Sequence, residues 1–252
     1  MKMSEILLSL GRIMLLLVPV YLGACLWAHF HAQRTVFRHP PATYTLGPEH
    51  LRLPTPDGVT LIARHWPNPE AKYTLLYFHG NAEELGSLAI YMDDYVRAGF
   101  AVFAYEYRGY GHSGGESSEA ASYADAQLVL DWLQRNGTPP ERVIAFGYSL
   151  GAGSAIELAR TQPVAGLVVE SSFVSAYRVL TRWPILLGDK FQNERKLPQV
   201  HCPVLVMHGT ADPVIPHWHG ELLFAAANEP KTLLIVPGGG HGGLDAIIGE
   251  RY

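Results

Sequence analysis

Six short runs of unbroken apolar residues constrain this chain more than any other feature: 73–78 (YTLLYF), 101–105 (AVFAY), 143–146 (VIAF), 167–169 (LVV), 204–207 (VLVM) and 232–236 (TLLIV). A strand with one wet face alternates apolar and polar residues, whereas these do not alternate and read as strands buried on both faces. Helix-length segments at 85–98, 123–135, 152–160 and 218–227 separate them. Strand, helix, strand in succession gives a parallel sheet with helices on both sides, because a parallel neighbour needs a crossover connection. Upstream, 49–53 and 59–65 flank Pro54-Thr55-Pro56-Asp57-Gly58 and read as two strands joined by a turn. The expected class is therefore α/β, with a mostly parallel central sheet of about eight strands. At 252 residues and 48% hydrophobic composition, the chain can bury one sizeable core. Open sheets of this kind bind ligands beyond the carboxyl ends of their strands, and chemistry is expected there.

The N-terminus stands apart. From Ile6 to Phe30 the sequence is apolar, with Arg12 its one full charge. About 20 such residues suffice to cross a bilayer, so residues 1–33 are expected to be an uncleaved membrane anchor, with no clear orientation from the flanking Lys2, Arg12, Arg34 and Arg38. The alternative is a lipoprotein: Leu22-Gly23-Ala24-Cys25 resembles a lipidation box, with Cys25 carrying the lipid. A buried core helix is the third reading, and all three keep the segment out of the catalytic fold, joined to it by a linker at 34–48 that includes His39-Pro40-Pro41. Residues 49–252 then form the remaining domain. Two cysteines, Cys25 and Cys202, make no disulfide framework, and a formal net charge of -4 without a basic patch gives no reason to expect a nucleic-acid partner.

Chemistry concentrates in three places. Gly147-Tyr148-Ser149-Leu150-Gly151 fits G-x-S-x-G directly between a strand and a helix, where a serine on a forced turn needs small neighbours. Gly153 and Ser154 are expected to let that helix approach the sheet. A serine hydroxyl is a weak nucleophile until an imidazole takes its proton and a carboxylate orients the imidazole. His241, held among Gly238, Gly239, Gly240, Gly242 and Gly243 on what reads as a flexible loop, is the candidate base. Asp212, after the strand in VMHGTADP, is the preferred acid, and Glu170 at another strand end is its rival. Asn81, in FHGN after the first buried strand, and Leu150 are the candidate backbone donors of an oxyanion hole.

Other motifs carry less. Gly109-Tyr110-Gly111-His112-Ser113-Gly114 matches G-x-G-x-x-G, with Asp131 downstream, but residues 115–118 intervene before any helix, so a dinucleotide site is not expected. The twelve histidines include no metal-binding spacing, and no cofactor or metal is expected. The stretch 171–201 is too long for a simple connection. Its Tyr177, Arg178, Arg182, Trp183, Leu186, Leu187 and Phe191 suit either a lid over an apolar substrate or a helix packed on the core.

Taken together, FHGNAEELG, YEYRGYGHSGGESSE, GYSLGAGSA, ESSFVSAYR, CPVLVMHGTADPVIP and GGGHGGL resemble the α/β-hydrolase superfamily over roughly residues 49–244. More narrowly they resemble its membrane-anchored group of depalmitoylase-like and bacterial serine hydrolases. The resemblance implies Ser149 as nucleophile, His241 as base, Asp212 as acid, the amides of Asn81 and Leu150 as oxyanion donors, and Arg108 with Gly109 to Gly111 as a structural loop. It implies cleavage of a carboxylic ester or thioester in a small molecule or acylated protein. An amidase or peptidase with the same triad, or a membrane-tethered binding protein without activity, remain alternatives. Relatives usually carry a closing helix after the histidine; with residues 242–252 in its place, either that helix is a stub or the chain is truncated relative to them.

Overall fold

A computed structural model describes residues 3–249, the side chains of 4–13 and 31–34 excepted. Eight strands form one sheet in the order β1-β2-β4-β3-β5-β6-β7-β8. β1 (His50–Pro54) and β2 (Thr60–Trp66) form an antiparallel pair, and β2 is also antiparallel to β4 (Ala101–Tyr105). β3 (Thr74–Phe78), β5 (Val143–Tyr148), β6 (Gly166–Glu170), β7 (Val204–Gly209) and β8 (Lys231–Val236) continue it in parallel. The expected α/β class and its mostly parallel eight-stranded sheet are what the structure contains.

The unbroken apolar runs have the reason expected of them. Every residue of β3 and of β4 is buried. Successive side chains leave a strand on opposite faces. Leu76 and Phe78 of β3 thus join one apolar cluster, with Val129 and Leu133 of α3 (Glu119–Arg135) and Ile156 of α4 (Ala152–Thr161). Leu75 and Tyr77 join the other, with Leu88 and Met92 of α2 (Leu85–Arg97). α7 (Leu244–Ile248) buries Leu244 and Ile248 in this second cluster, while residues 250–252 lie outside the description.

Three sequence expectations are corrected here. The first concerns the N-terminus. α1 (Met3–Val36) covers the apolar run, yet among the described residues no helix is long and apolar enough to cross a membrane. The run is not kept apart from the domain either. Cys25 and Ala28 are buried, and Ala28 belongs to the first apolar cluster. The Tyr21 hydroxyl donates to the carbonyl of Ile185, and the Leu187 amide donates to Cys25 Sγ at 3.5 Å. The part of the run from Ile6 to Ile13 lies where side chains are not described.

The second correction concerns residues 34–48, expected as a linker. Phe37 is buried against Phe191, and the carbonyl of Pro40 accepts from the Gly111 amide. An apolar ring and a backbone bond bind this stretch to the domain surface, so it does not serve as a spacer.

The third concerns Gly153. Its missing side chain makes room for the Phe191 ring, not for the sheet. Phe191 comes from the long 171–201 connection, which divides its residues between the two roles considered for it. Phe173, Tyr177, Phe191 and Leu197 are buried in the core, whereas Leu180, Trp183, Ile185 and Leu187 are exposed. The segment contains single helical turns at Tyr177–Val179 and Leu197–Gln199 and, between them, the short α5 (Asn193–Lys196).

The G-x-G-x-x-G stretch is a braced loop. Gly111 has φ +49°, and a side chain there would strike the Glu106 carboxylate, which accepts from the amides of Leu85 and His112. Arg108 donates from Nε and Nη2 to the Asp125 carboxylate on α3 and from Nη1 to Asp57 in the β1–β2 turn. Asp125 is buried, so its loss leaves a mostly buried guanidinium with only an exposed partner. Asp125→Ala is expected to lower unfolding stability by about 3 kcal/mol. Urea denaturation checks this, and Asp57→Ala should move the midpoint less.

Candidate active site

The strand register brings five chain segments to one edge. Phe78 pairs with Gly147, Tyr148 with Glu170, Glu170 with Met207, and Gly209 with Val236. The carboxyl ends of β3, β5, β6, β7 and β8 therefore stand side by side, and the residues that follow them face a common space.

Ser149 follows β5 at the start of a tight helical turn, Ser149–Gly151, that leads into α4. Its φ is +52°. A residue with a Cβ holds this left-handed conformation only when its surroundings compel it, at a cost of about 1–3 kcal/mol. The flanking glycines show what compels it. A Cβ on Gly147 would strike the backbone of Ala152, and one on Gly151 would strike the carbonyl of Phe78. The Ser172 hydroxyl also donates to the Ser149 carbonyl at 2.8 Å. Ser172 was not assigned a role from sequence; its only signal is its place just past the β6 end.

His241 sits on the loop after β8. Its Nε2 is 3.0 Å from Ser149 Oγ and its Nδ1 is 2.8 Å from Asp212 Oδ2. An ionised carboxylate only accepts, so Nδ1 carries the proton and Nε2 is free to accept from the serine hydroxyl. Of the glycines around His241, expected to make a flexible tether, Gly239 permits a close approach of backbone, while Gly238 and Gly243 have positive φ and open space where a side chain would be. A Cβ on Gly209 would strike the Gly239 carbonyl, that carbonyl accepts from the Ala211 amide, and the Gly238 amide donates to Thr210 Oγ1. Two loops are thus laced together, with His241 and Asp212 facing each other across the seam.

The side chain of Asp212 is fully buried. Its Oδ1 accepts from the amides of Val214 and Ile215, each at 2.8 Å, and its Oδ2 from His241, while His208 Nε2, bonded to the Ile215 carbonyl at 2.9 Å, lies 3.2 Å from the same Oδ2. Burial opposes its charge, but the neighbouring His208 imidazole and the hydrogen bonds from His241 and the Ile215 amide prevail and hold its carboxyl well below the usual range. Glu170, the rival acid, ends β6, and the carboxylate that bonds His241 Nδ1 is that of Asp212. His208 went unassigned in the sequence. Nothing but its position beside Gly209 marked it, yet it is a fully buried imidazole next to the same carboxylate oxygen.

Asn81 and Leu150, the candidate oxyanion donors, lie with Ser149 along a cavity of about 260 Å³. Leu150 is in the first turn of its helix, where backbone N–H groups lack intrahelical partners. The Asn81 side chain donates to the Val36 carbonyl at the end of α1. Glu83 accepts from the Gly80 amide at 2.7 Å; burial raises its carboxyl above the ordinary value, against the pull of that amide and of nearby His241. Among the described residues, no group of three His, Cys, Asp or Glu side chains is placed to hold a metal.

With this geometry in view, comparison with known proteins is informative. A family model described as "Serine aminopeptidase, S33" matches residues 69–193. An uncharacterized protein of Mycobacterium tuberculosis is 35% identical over 205 residues, which cover 78% of this chain and 73% of that one. The chain belongs to the α/β-hydrolase superfamily. Human alpha/beta hydrolase domain-containing protein 17B is 37% identical over 71% of this chain, and Caenorhabditis elegans alpha/beta hydrolase domain-containing protein aho-3 is 36% identical over the same share. This chain spans 63% and 55% of those two relatives. Among solved structures, a Pyrococcus furiosus esterase superposes with a TM-score of 0.68 at 18% identity, covering 84% of this chain and 94% of that one, which is a likeness of fold.

Buried imidazoles give this hydrolase fold a pH signature. Burial lowers His79, just past the end of β3, to about 4 and His219 to about 3. Both folded values lie below the unfolded one, so the unfolded chain binds more protons in between, and stability is complete above about pH 6.5 and lost as pH falls below it. His79 alone is worth about 3 kcal/mol across that window. The urea midpoint is expected to drop between about pH 7 and about pH 5, ahead of carboxylate titration, and His79→Gln should flatten the slope.

Proposed function

We propose that this protein is a serine hydrolase that cleaves a carboxylic ester or thioester through an acyl-enzyme on Ser149. The observation that carries this reading is the line of hydrogen bonds from Asp212 through His241 to Ser149, at 2.8 and 3.0 Å. His241 Nε2 takes the hydroxyl proton as Ser149 Oγ attacks the acyl carbon. The resulting oxyanion accepts from the backbone amides of Asn81 and Leu150, donors of a kind worth about 3 kcal/mol each. His241 then gives its Nε2 proton to the departing alkoxide or thiolate. Water, deprotonated by the same nitrogen, releases the acid and restores Ser149. Asp212 holds the imidazole in the tautomer this needs and stabilises its charged form.

Ser149→Ala is expected to abolish labelling by a fluorophosphonate and to lower turnover of p-nitrophenyl esters by about 10⁴-fold or more. Asp212→Asn should lose about 10⁴-fold, as wrong tautomers do, while Glu170→Gln loses far less. A Ser149→Ala variant that still hydrolyses these esters would refute the assignment.

A peptidase reading is favoured by the description of the matching family model. An aminopeptidase must pair the free α-ammonium of its substrate with a carboxylate. No charged side chain lines the cavity at Ser149 among the described residues, which supports the ester and thioester reading over it. For the same reason the substrate is a neutral lipophilic acyl group, on a small molecule or on an acylated protein. Leu15, Leu16, Val20, Leu26 and Phe30 of α1 are exposed, and an apolar surface of this kind supports association with a lipid surface through the N-terminal segment.

A further inference from the structure

The cavity at Ser149 has a wall that does not come from the sheet, from its covering helices or from the loops at its edge. Trp27, Ala28, Thr35 and Val36, all in the last three turns of α1, line it, facing Leu180 and Leu186 of the 171–201 segment. α1 is held there at three points. Tyr21 donates to the Ile185 carbonyl, Cys25 Sγ accepts from the Leu187 amide, and the Val36 carbonyl accepts from the side chain of Asn81, whose own backbone is a candidate oxyanion donor. The N-terminal helix thus touches both the opposite wall and the loop at the reaction centre.

Which part of a substrate would enter follows from where His241 stands. In the proposed mechanism, on which this inference rests, the leaving group takes its proton from His241 Nε2 and must lie within hydrogen-bond reach of it. His241 is not among the cavity's lining residues, whereas Ser149, Leu150 and Asn81 are. The cavity therefore opens on the acyl side of the attacked carbon. Its lining bears no charge, and its volume of about 260 Å³ bounds the length of the aliphatic chain it can hold.

We propose that the C-terminal part of α1 is a substrate-selecting wall of the acyl pocket, and that the pocket takes a linear aliphatic acyl chain of medium length. Trp27 and Ala28 are its selecting side chains: Trp27 covers the chain at the open end, and the small Ala28 leaves the depth that the chain occupies.

Two measurements on the full-length protein test this, one of them independent of catalysis. Bromo-octanoate is expected to quench tryptophan fluorescence saturably, and Trp27→Phe should remove most of that quenching although Trp66, Trp132, Trp183 and Trp218 remain. Ala28→Phe is expected to lower the ratio of kcat/KM for p-nitrophenyl octanoate over acetate by about tenfold, because the extra ring takes the space of several methylenes. Leu16→Ala, exposed and away from the cavity, should leave the ratio as it is. Quenching that is the same in Trp27→Phe as in the native chain, or a ratio unmoved by Ala28→Phe, overturns the proposal. Fluorophosphonate labelling of Ser149 separates the two readings. Loss of labelling with Trp27-dependent quenching retained defeats the hydrolase mechanism and leaves the acyl pocket, whereas labelling without such quenching does the reverse.

Discussion

The contact of the Gly151 Cα with the Phe78 carbonyl, too close for any side chain to intervene, governs the arrangement around Ser149. It presses the turn after β5 against the end of β3, while Gly147 lets α4 return over the same turn. Between these two approaches Ser149 has no conformation left except the left-handed one. The strain is borne by the central strands, which are buried on both faces and so resist local adjustment. The candidate nucleophile thereby stands clear of the sheet, beside Asn81 and within reach of His241.

A second close approach, between Gly209 and Gly239, does for the imidazole what the first does for the serine. Neither loop is long enough to form a structure of its own. Packed backbone to backbone, they present Asp212 and His241 at bonding distance and close around a carboxylate that accepts three hydrogen bonds, with His208 beside it. The glycines in both places act as contact points between backbones. Flexibility, the property first inferred for those around His241, would have served the geometry less well, since an imidazole free to swing holds neither partner.

Much of this was legible in the residues. Buried strands announce themselves because a two-sided apolar environment removes alternation, and all of the parallel strands were found within two residues of their observed ends. Ser149, Asp212 and His241 were legible because each follows such a strand, and strand ends converge in a parallel sheet. His208 and Ser172 were not, since a histidine inside a strand or a serine after one has many ordinary explanations. Their contacts, with Asp212 and with the Ser149 carbonyl, join residues far apart in sequence. The contacts of the N-terminal run were hidden for a related reason: hydropathy measures the wish to leave water and says nothing of which apolar surface will receive the helix.

Sequence alone determined the strand and helix order, the edge on which chemistry would gather, and the residue types that could perform it, because these follow from periodicity and from local sterics. Tertiary structure decided which carboxylate meets His241, how Phe191 fills the space beside Gly153, and that α1 and residues 37–44 lie on the domain instead of apart from it. Each of those is a contact between segments separated by tens of residues. Pairings of that range depend on the whole chain's packing, and no local pattern carries them.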